Sequence, residues 1–206
     1  MRVEFDIKGT EVPGITFDAI LILCSEWYSK YRSEKWDDAY KQLATILGYC
    51  NSSMIRYKDF FKYGLISIGW LKDNKLTEEA RVLLKNLSFH EIKGRYGLTG
   101  NITLFDRKEQ KKKRKTFSIF IRYSDLHVIK KSISRNACIK ILLNEESNNV
   151  KIDKQMITNV LSSFSVFTKN STTIPRRASD VYNWICWLQR IDKLIRPGTT
   201  PSEIVS

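Results

Sequence analysis

Apolar residues recur at helical spacing through most of this chain and alternate with polar ones in four short runs. In residues 16–33, Ile20, Leu23, Cys24, Trp27 and Tyr28 share one face, which predicts a helix capped by Thr16 or Asp18. A second helix over residues 34–49 puts Trp36, Tyr40, Leu43, Ala44 and Leu47 on one face, with Gly48 as its stop. A third, capped by Ser52 or Ser53, buries Met54, Tyr57 and Phe61 and exposes Arg56, Lys58, Asp59 and Lys62. The run LISIGWL then reads as a strand and Asp73-Asn74 as a tight turn. A helix follows, with Thr77 as N-cap and Glu78 and Glu79 in its first turn, where acidic groups complement the helix dipole.

The opening VEFDIKG is a further short strand. The segment KGRYGLTGN reads as a linker, because its glycines are not followed by the Lys-Ser or Lys-Thr step of a phosphate-cradling loop. NITLF and TFSIFIRY form a strand pair around the connector DRKEQKKKRK, a hairpin with a long loop. Three helices close the chain. The first carries Ala137, Ile139, Ile141 and Leu142, the second Met156, Ile157, Val160 and Leu161, and the third Val181, Trp184, Ile185 and Leu188. The expected class is mainly α with small β elements (α+β). Residues 1–92 form one module, 93–100 a linker, 101–196 the basic hairpin with a second module, and 197–206 a tail.

Charge changes this picture most. Residues 1–98 hold 15 basic and 13 acidic side chains and residues 99–206 hold 20 and 9, so nearly all of the net +13 falls in the second half. A clustered basic surface attracts polyanions by releasing condensed counterions, and double-stranded DNA is the expected partner. The bland alternative is a protein that is basic for solubility. Cys24, Cys50, Cys138 and Cys186 lie far apart and mostly in apolar segments, so they read as free buried thiols. No apolar run approaches the length of a bilayer span, and MRVEFDIKGTEV has no secretory-signal layout. An intracellular, reducing, cytoplasmic setting without membrane contact is expected.

The stretch STTIPRRASDVYNWICWLQRIDKLIR places the chemistry. Thr172 or Thr173 caps its helix, Pro175 suits the first turn, and Arg176 and Arg177 follow with side chains expected to point outward. Basic residues at a helix N-terminus oppose the macrodipole, and a negative partner offsets that cost. In a helix-turn-helix the corresponding residues reach base edges and phosphates, and an arginine fork matches two guanine acceptors. Arg190 lies on the same polar side, and Asn183 could pair with adenine. The hairpin connector adds Arg107, Lys108, Lys111, Lys112, Lys113, Arg114 and Lys115, as a phosphate-tracking arm or as a solvated loop. Ser53, Arg56 and Lys58 complete the DNA-facing set on the third helix. The structural alternative for the last helix is a surface element whose arginines bind neighbouring carboxylates.

Two resemblances bear on these residues. The order of helices and small β element over residues 16–87, ending in YGLI and KLTEEARVLL, resembles winged-helix domains. STTIPRRASDVYNWICWLQRIDKLI is similar to winged-helix segments of restriction-modification and related defence proteins. The second resemblance implies target recognition, with Arg176, Arg177, Ser179 and Asn183 toward DNA. It also implies service to a separate nuclease, ATPase or methyltransferase subunit. It departs after Ile195, where little chain is left for a wing, a purpose the basic hairpin could serve.

Catalytic alternatives are few. Two histidines and no serine elbow leave no nucleophile and base pair in view, so no cofactor is expected for a DNA reader. A small restriction-type nuclease would use Asp73, Glu91 and Lys93 around Mg, because Asp with a later Glu-X-Lys places two ligands and a lysine near a phosphate. The segment between Asp73 and Glu91 reads as a helix where such an enzyme has a hairpin. A transcriptional regulator, a homodimer, or an RNA binder using Phe117 and Tyr123 on one strand face are further alternatives.

Overall fold

The computed structural model describes residues 11–46, 51–92, 102–105, 114–146, 152–164, 167 and 173–195. The N-terminal strand, Gly48, Cys50, the linker from 93, most of the hairpin connector and the tail lie outside them. Among the described residues the order is α1 Phe17–Lys30, α2 Trp36–Ile46, α3 Asn51–Ser67, β1 Leu71–Lys72, β2 Lys75–Leu76 and α4 Glu78–Asn86. β3 Ser88–Ile92, β4 Ile102–Phe105, β5 Arg114–Phe120, α5 Tyr123–Ile133, α6 Ala137–Glu146, α7 Lys154–Ser162 and α8 Ile174–Leu194 follow. The chain is thus mainly helical with small antiparallel sheets, as its periodicity predicts.

α1 is the hub. Phe17, Ala19, Ile20, Leu21, Ile22, Leu23, Cys24 and Trp27 are all buried, a spread too wide for one helical stripe, so neighbours cover the helix on several sides. Thr16 is its cap and accepts from the Ala19 N–H at 3.3 Å. Phe17 meets three tryptophans: Trp184 at 5.4 Å, Trp187 at 5.6 Å and Trp70 at 5.9 Å between ring centres. A second aromatic cluster joins Trp27, Trp36, Tyr40 and Phe61 across α1, α2 and α3. Apolar side chains from Val12 through Leu87 and from Leu126 through Ile191 belong to one continuous core, and α8 packs on α1, α5, α6 and α7. Residues on both sides of position 93 thus contribute to this core.

Local chemistry explains several differences from the periodic reading. LISIGWL is not one strand: α3 runs through Ser67, Gly69 turns the chain at φ 77°, and only Leu71–Lys72 pairs with Lys75–Leu76. Asp73 and Asn74 hold φ of 51° and 59° between these strands, the two left-handed positions of a tight hairpin turn. Thr77 caps α4, its hydroxyl facing the Ala80 N–H at 3.5 Å and donating to the Gly69 carbonyl at 2.9 Å. α3 begins at Asn51, so Ser52 and Ser53 lie inside its first turn rather than ahead of it.

The expected β4–β5 pair forms, with Ile102 opposite Phe117 and Phe105 opposite Arg114, and β3 joins the other edge of β5. Arg114 and Lys115 accordingly stand in the ladder of β5 and not in the connector. Tyr123, expected to continue that strand, starts α5 instead, and its hydroxyl lies 3.4 Å from the Ile195 carbonyl. α5 itself is an additional element, with Leu126, Ile129 and Ile133 buried at helical spacing.

A polar network ties α3, α4 and α5 together. Trp70 Nε1 donates to Ser132 Oγ at 3.0 Å, and that hydroxyl lies 2.9 Å from the Val128 carbonyl and 3.2 Å from Glu79 Oε1. Arg135 reaches Glu79 at 2.9 Å and the Ile68 carbonyl at 3.2 Å. Asn136 Nδ2 donates to Ser67 Oγ and to the Glu11 carbonyl, both at 3.0 Å. Cys24 and Cys138 are buried free thiols, pushed up by burial, and Cys186 is free and half-buried. No helix among the described residues is long and apolar enough to cross a membrane.

Candidate nucleic-acid interface

The start of α8 lies against α3, so it brings together residues expected on two modules. Arg176 is exposed, donates to the Tyr57 hydroxyl, and holds its guanidinium carbon 5.3 Å from the Tyr57 ring centre. Tyr57 sits on α3 between Arg56 and Lys58. Lys58 bonds Asp37 at 2.6 Å, and Asp37 also faces Lys62 at 3.6 Å and accepts from Asn74 Nδ2 at 3.0 Å. The bonds and charges of Lys58 and Lys62, Lys58 first, hold the half-buried Asp37 carboxyl below its usual range. Ser53 and Arg56 lie in the N-terminal part of α3.

Arg177 corrects the expectation that both arginines point outward. Only 9% of it is exposed, and its guanidinium carbon stacks 4.0 Å from the Phe60 ring centre. A Cβ at Gly14 would lie 1.5 Å from Arg177 Nη1, so the guanidinium occupies the space that a side chain there would need. The cause is helical phase. Arg177 stands four, seven and eleven positions before Val181, Trp184 and Leu188, on the same buried stripe as the core residues of α8. That spacing is readable from the sequence.

Asn183 is also turned to the fold. Its Oδ1 accepts the Phe17 N–H at 2.9 Å, and its Nδ2 donates to Asp18 Oδ2 at 2.8 Å. It thereby satisfies an orphan donor in the first turn of α1 and one oxygen of a half-buried carboxylate. Trp187 Nε1 donates to Asp18 Oδ1 at 2.6 Å, and Trp184 Nε1 to the Ile15 carbonyl at 2.8 Å. Burial pushes the Asp18 carboxyl up, while the bonds from Asn183 and Trp187 and the charge of Arg190 pull it down. An amide used as donor and acceptor inside the protein does not present the pair of bonds that reads adenine.

Asp180 lies near the two arginines. Burial pushes its carboxyl up to about 6, against the opposing charges of Arg177 and Arg176. Ser179 is exposed, with its hydroxyl bonded to the Pro175 carbonyl at 3.2 Å, and Arg190 is exposed. Thr173 precedes α8 in helical conformation and makes no side-chain cap bond. Pro175 stands in the first turn of α8. On the adjoining helices Arg122, Lys131 and Lys140 are exposed, whereas Lys130 pairs with Asp192.

Arg107, Lys108, Lys111, Lys112 and Lys113 lie outside the described residues, but the antiparallel register fixes where the segment carrying them belongs in the topology. It joins the end of β4 at Phe105 to the start of β5 at Arg114. Of the nuclease set, Asp73 is exposed in the β1–β2 turn, Glu91 stands in β3 opposite Phe117, and Lys93 lies outside the described residues. Among the described residues, no group of three or more His, Cys, Asp or Glu is placed to hold a metal ion.

No protein-family model, curated protein or solved structure matches this chain.

Proposed function

We propose that the protein binds double-stranded DNA, mainly through phosphates, and acts in target recognition. The observation that carries this reading is the pairing of β4 with β5, whose connecting sequence holds Arg107, Lys108, Lys111, Lys112 and Lys113 against two acidic residues, Asp106 and Glu109. A basic arm anchored by a ladder tracks a phosphate backbone or enters a minor groove. The net charge of the second half supplies the long-range attraction.

At the start of α8, Arg176 and Ser179 are the side chains available to a duplex, with Tyr57 steering the arginine. Arg177 and Asn183 hold the helix in place behind them. The likeness of residues 171–195 to winged-helix segments supports assigning α8 to recognition, with the β4–β5 hairpin in the place of a wing. In that role the chain delivers a partner subunit to its site.

Selection from a randomised duplex pool, with and without Mg, tests the reading. It predicts retention of duplexes, enrichment of a short motif, and no cleavage. Failure to retain duplex at low salt contradicts it, and Mg-dependent cuts reassign the chain as a nuclease.

A further inference from the structure

A second basic site lies in the half of the chain that carries little net charge. The C-terminal end of α1 and the turn after it face one side of α4 across a cavity of about 500 Å³, lined by Tyr28, Arg32, Ser33, Glu78, Arg81 and Lys85. Helical spacing builds it: Glu78, Arg81 and Lys85 stand three and four positions apart on α4, and Val82 joins them as an apolar wall that is 55% exposed. Three cations face one carboxylate.

The internal pairing is weak. Arg81 meets Glu78 at 3.8 Å, and the Glu78 side chain is 79% exposed. Arg32 and Lys85 make no ion pair among the described residues. Arg81 Nε is buried and has no hydrogen-bond partner among them, so the fold does not use the whole of this guanidinium. Residues 1–98 hold 15 basic and 13 acidic side chains, so this cluster is not a by-product of a generally basic composition.

We infer that this cavity binds a phosphate monoester, with Arg32, Arg81 and Lys85 on the phosphate oxygens and the Tyr28 ring and Val82 against the organic part. The charges match: three cations less one carboxylate leave a doubly positive site for a dianion. Guanidinium forks bind phosphate oxygens in pairs, and the Tyr28 and Ser33 hydroxyls add donors. The volume lies within the range of roughly 300–1,000 Å³ usual for small-ligand sites. A free mononucleotide and the 5′-phosphate of a DNA strand both present this group.

The test is titration of the full chain with AMP and inorganic phosphate, followed by amide NMR shifts. In parallel, binding is compared for one duplex with 5′-phosphate and with 5′-hydroxyl ends. R32Q/K85Q changes two exposed side chains, R81Q changes the half-buried one, and K131Q/K140Q controls for general loss of charge. The inference predicts that AMP shifts resonances of residues 28–33 and 78–85, and that affinity falls at least about tenfold in R32Q/K85Q and not in the control, tenfold being about 1.4 kcal/mol.

Preference for the 5′-phosphorylated duplex, abolished in the same variant, supports the site with DNA as the source. Equal binding of AMP by R32Q/K85Q and wild type, or a fall equal to that of K131Q/K140Q, overturns it. R81Q supports the site if its thermal unfolding is that of wild type and its AMP affinity falls. An R81Q affinity equal to wild type counts against the role of Arg81 in it.

Discussion

The Arg177 guanidinium fills the space that a side chain on Gly14 would occupy, a Cβ there lying 1.5 Å from Nη1. One of two adjacent arginines is thereby locked into the frame, stacked on Phe60, while Arg176 stays at the surface on Tyr57. Two neighbours in sequence therefore stand apart in the fold, Arg177 packed within it and Arg176 at its surface.

Gly14→Ala should destabilise the protein by about 1–3 kcal/mol, because the new methyl forces Arg177 off the Phe60 ring. Urea unfolding checks this. In a double-mutant cycle with Arg177→Ala, the double variant should be destabilised by less than the sum of the two single effects, since the clash is absent once the guanidinium is gone. Strict additivity would mean that the two residues do not meet.

Asn183→Leu should cost about 2–3 kcal/mol of stability, because it leaves the Phe17 N–H and one Asp18 oxygen without their partner. Arg176→Ala should leave the unfolding midpoint nearly unchanged and weaken duplex binding. Parallel denaturation and anisotropy measurements separate the two roles. A reversed pattern, with Asn183 controlling affinity and Arg176 controlling stability, contradicts the assignment.

Asp180 makes stability depend on pH in a defined direction. Its folded carboxyl titrates near 6 while an unfolded aspartate titrates near its ordinary value, so between them the folded state holds more protons. Its contribution is therefore favourable at low pH and is lost as pH rises through about 6. Asp18, also raised, adds the same sign, and Asp37, lowered, adds the opposite one. The clean readout is the difference between Asp180→Asn and wild type. The variant should gain about 1–3 kcal/mol relative to wild type between pH 4.5 and pH 7.5, by urea unfolding at both. A constant difference would show that Asp180 is not desolvated.

Much of the helical frame is legible in the sequence because its signals are local. Thr16 and Thr77 cap where short polar side chains precede apolar periodicity, and Asp73-Asn74 turns where two left-handed residues are tolerated. The stripe of Val181, Trp184, Ile185 and Leu188 is buried as its spacing predicts. What the pattern does not reveal depends on partners distant in sequence. Asn183 and Asp18 meet across 165 residues, and nothing near either names the other. Arg177 differs: it lies in phase with the core stripe, and its charge masks a position that the spacing already assigns to the interior. α5 is hard to see because it follows β5 after two residues and its Arg122 cap makes no side-chain bond, although Leu126, Ile129 and Ile133 carry the helical period.

The measurement that bears most directly on DNA binding is the salt dependence of duplex affinity for wild type and for K111Q/K112Q/K113Q. Each phosphate no longer neutralised by a lysine should flatten the slope of log K against log salt by about 0.9. The account predicts a steep linear fall for wild type. In the triple variant it predicts a slope flatter by roughly 2–3 and an affinity lowered for all sequences alike. An unchanged slope, or wild-type affinity that does not respond to salt, would contradict phosphate recognition by the β4–β5 connector.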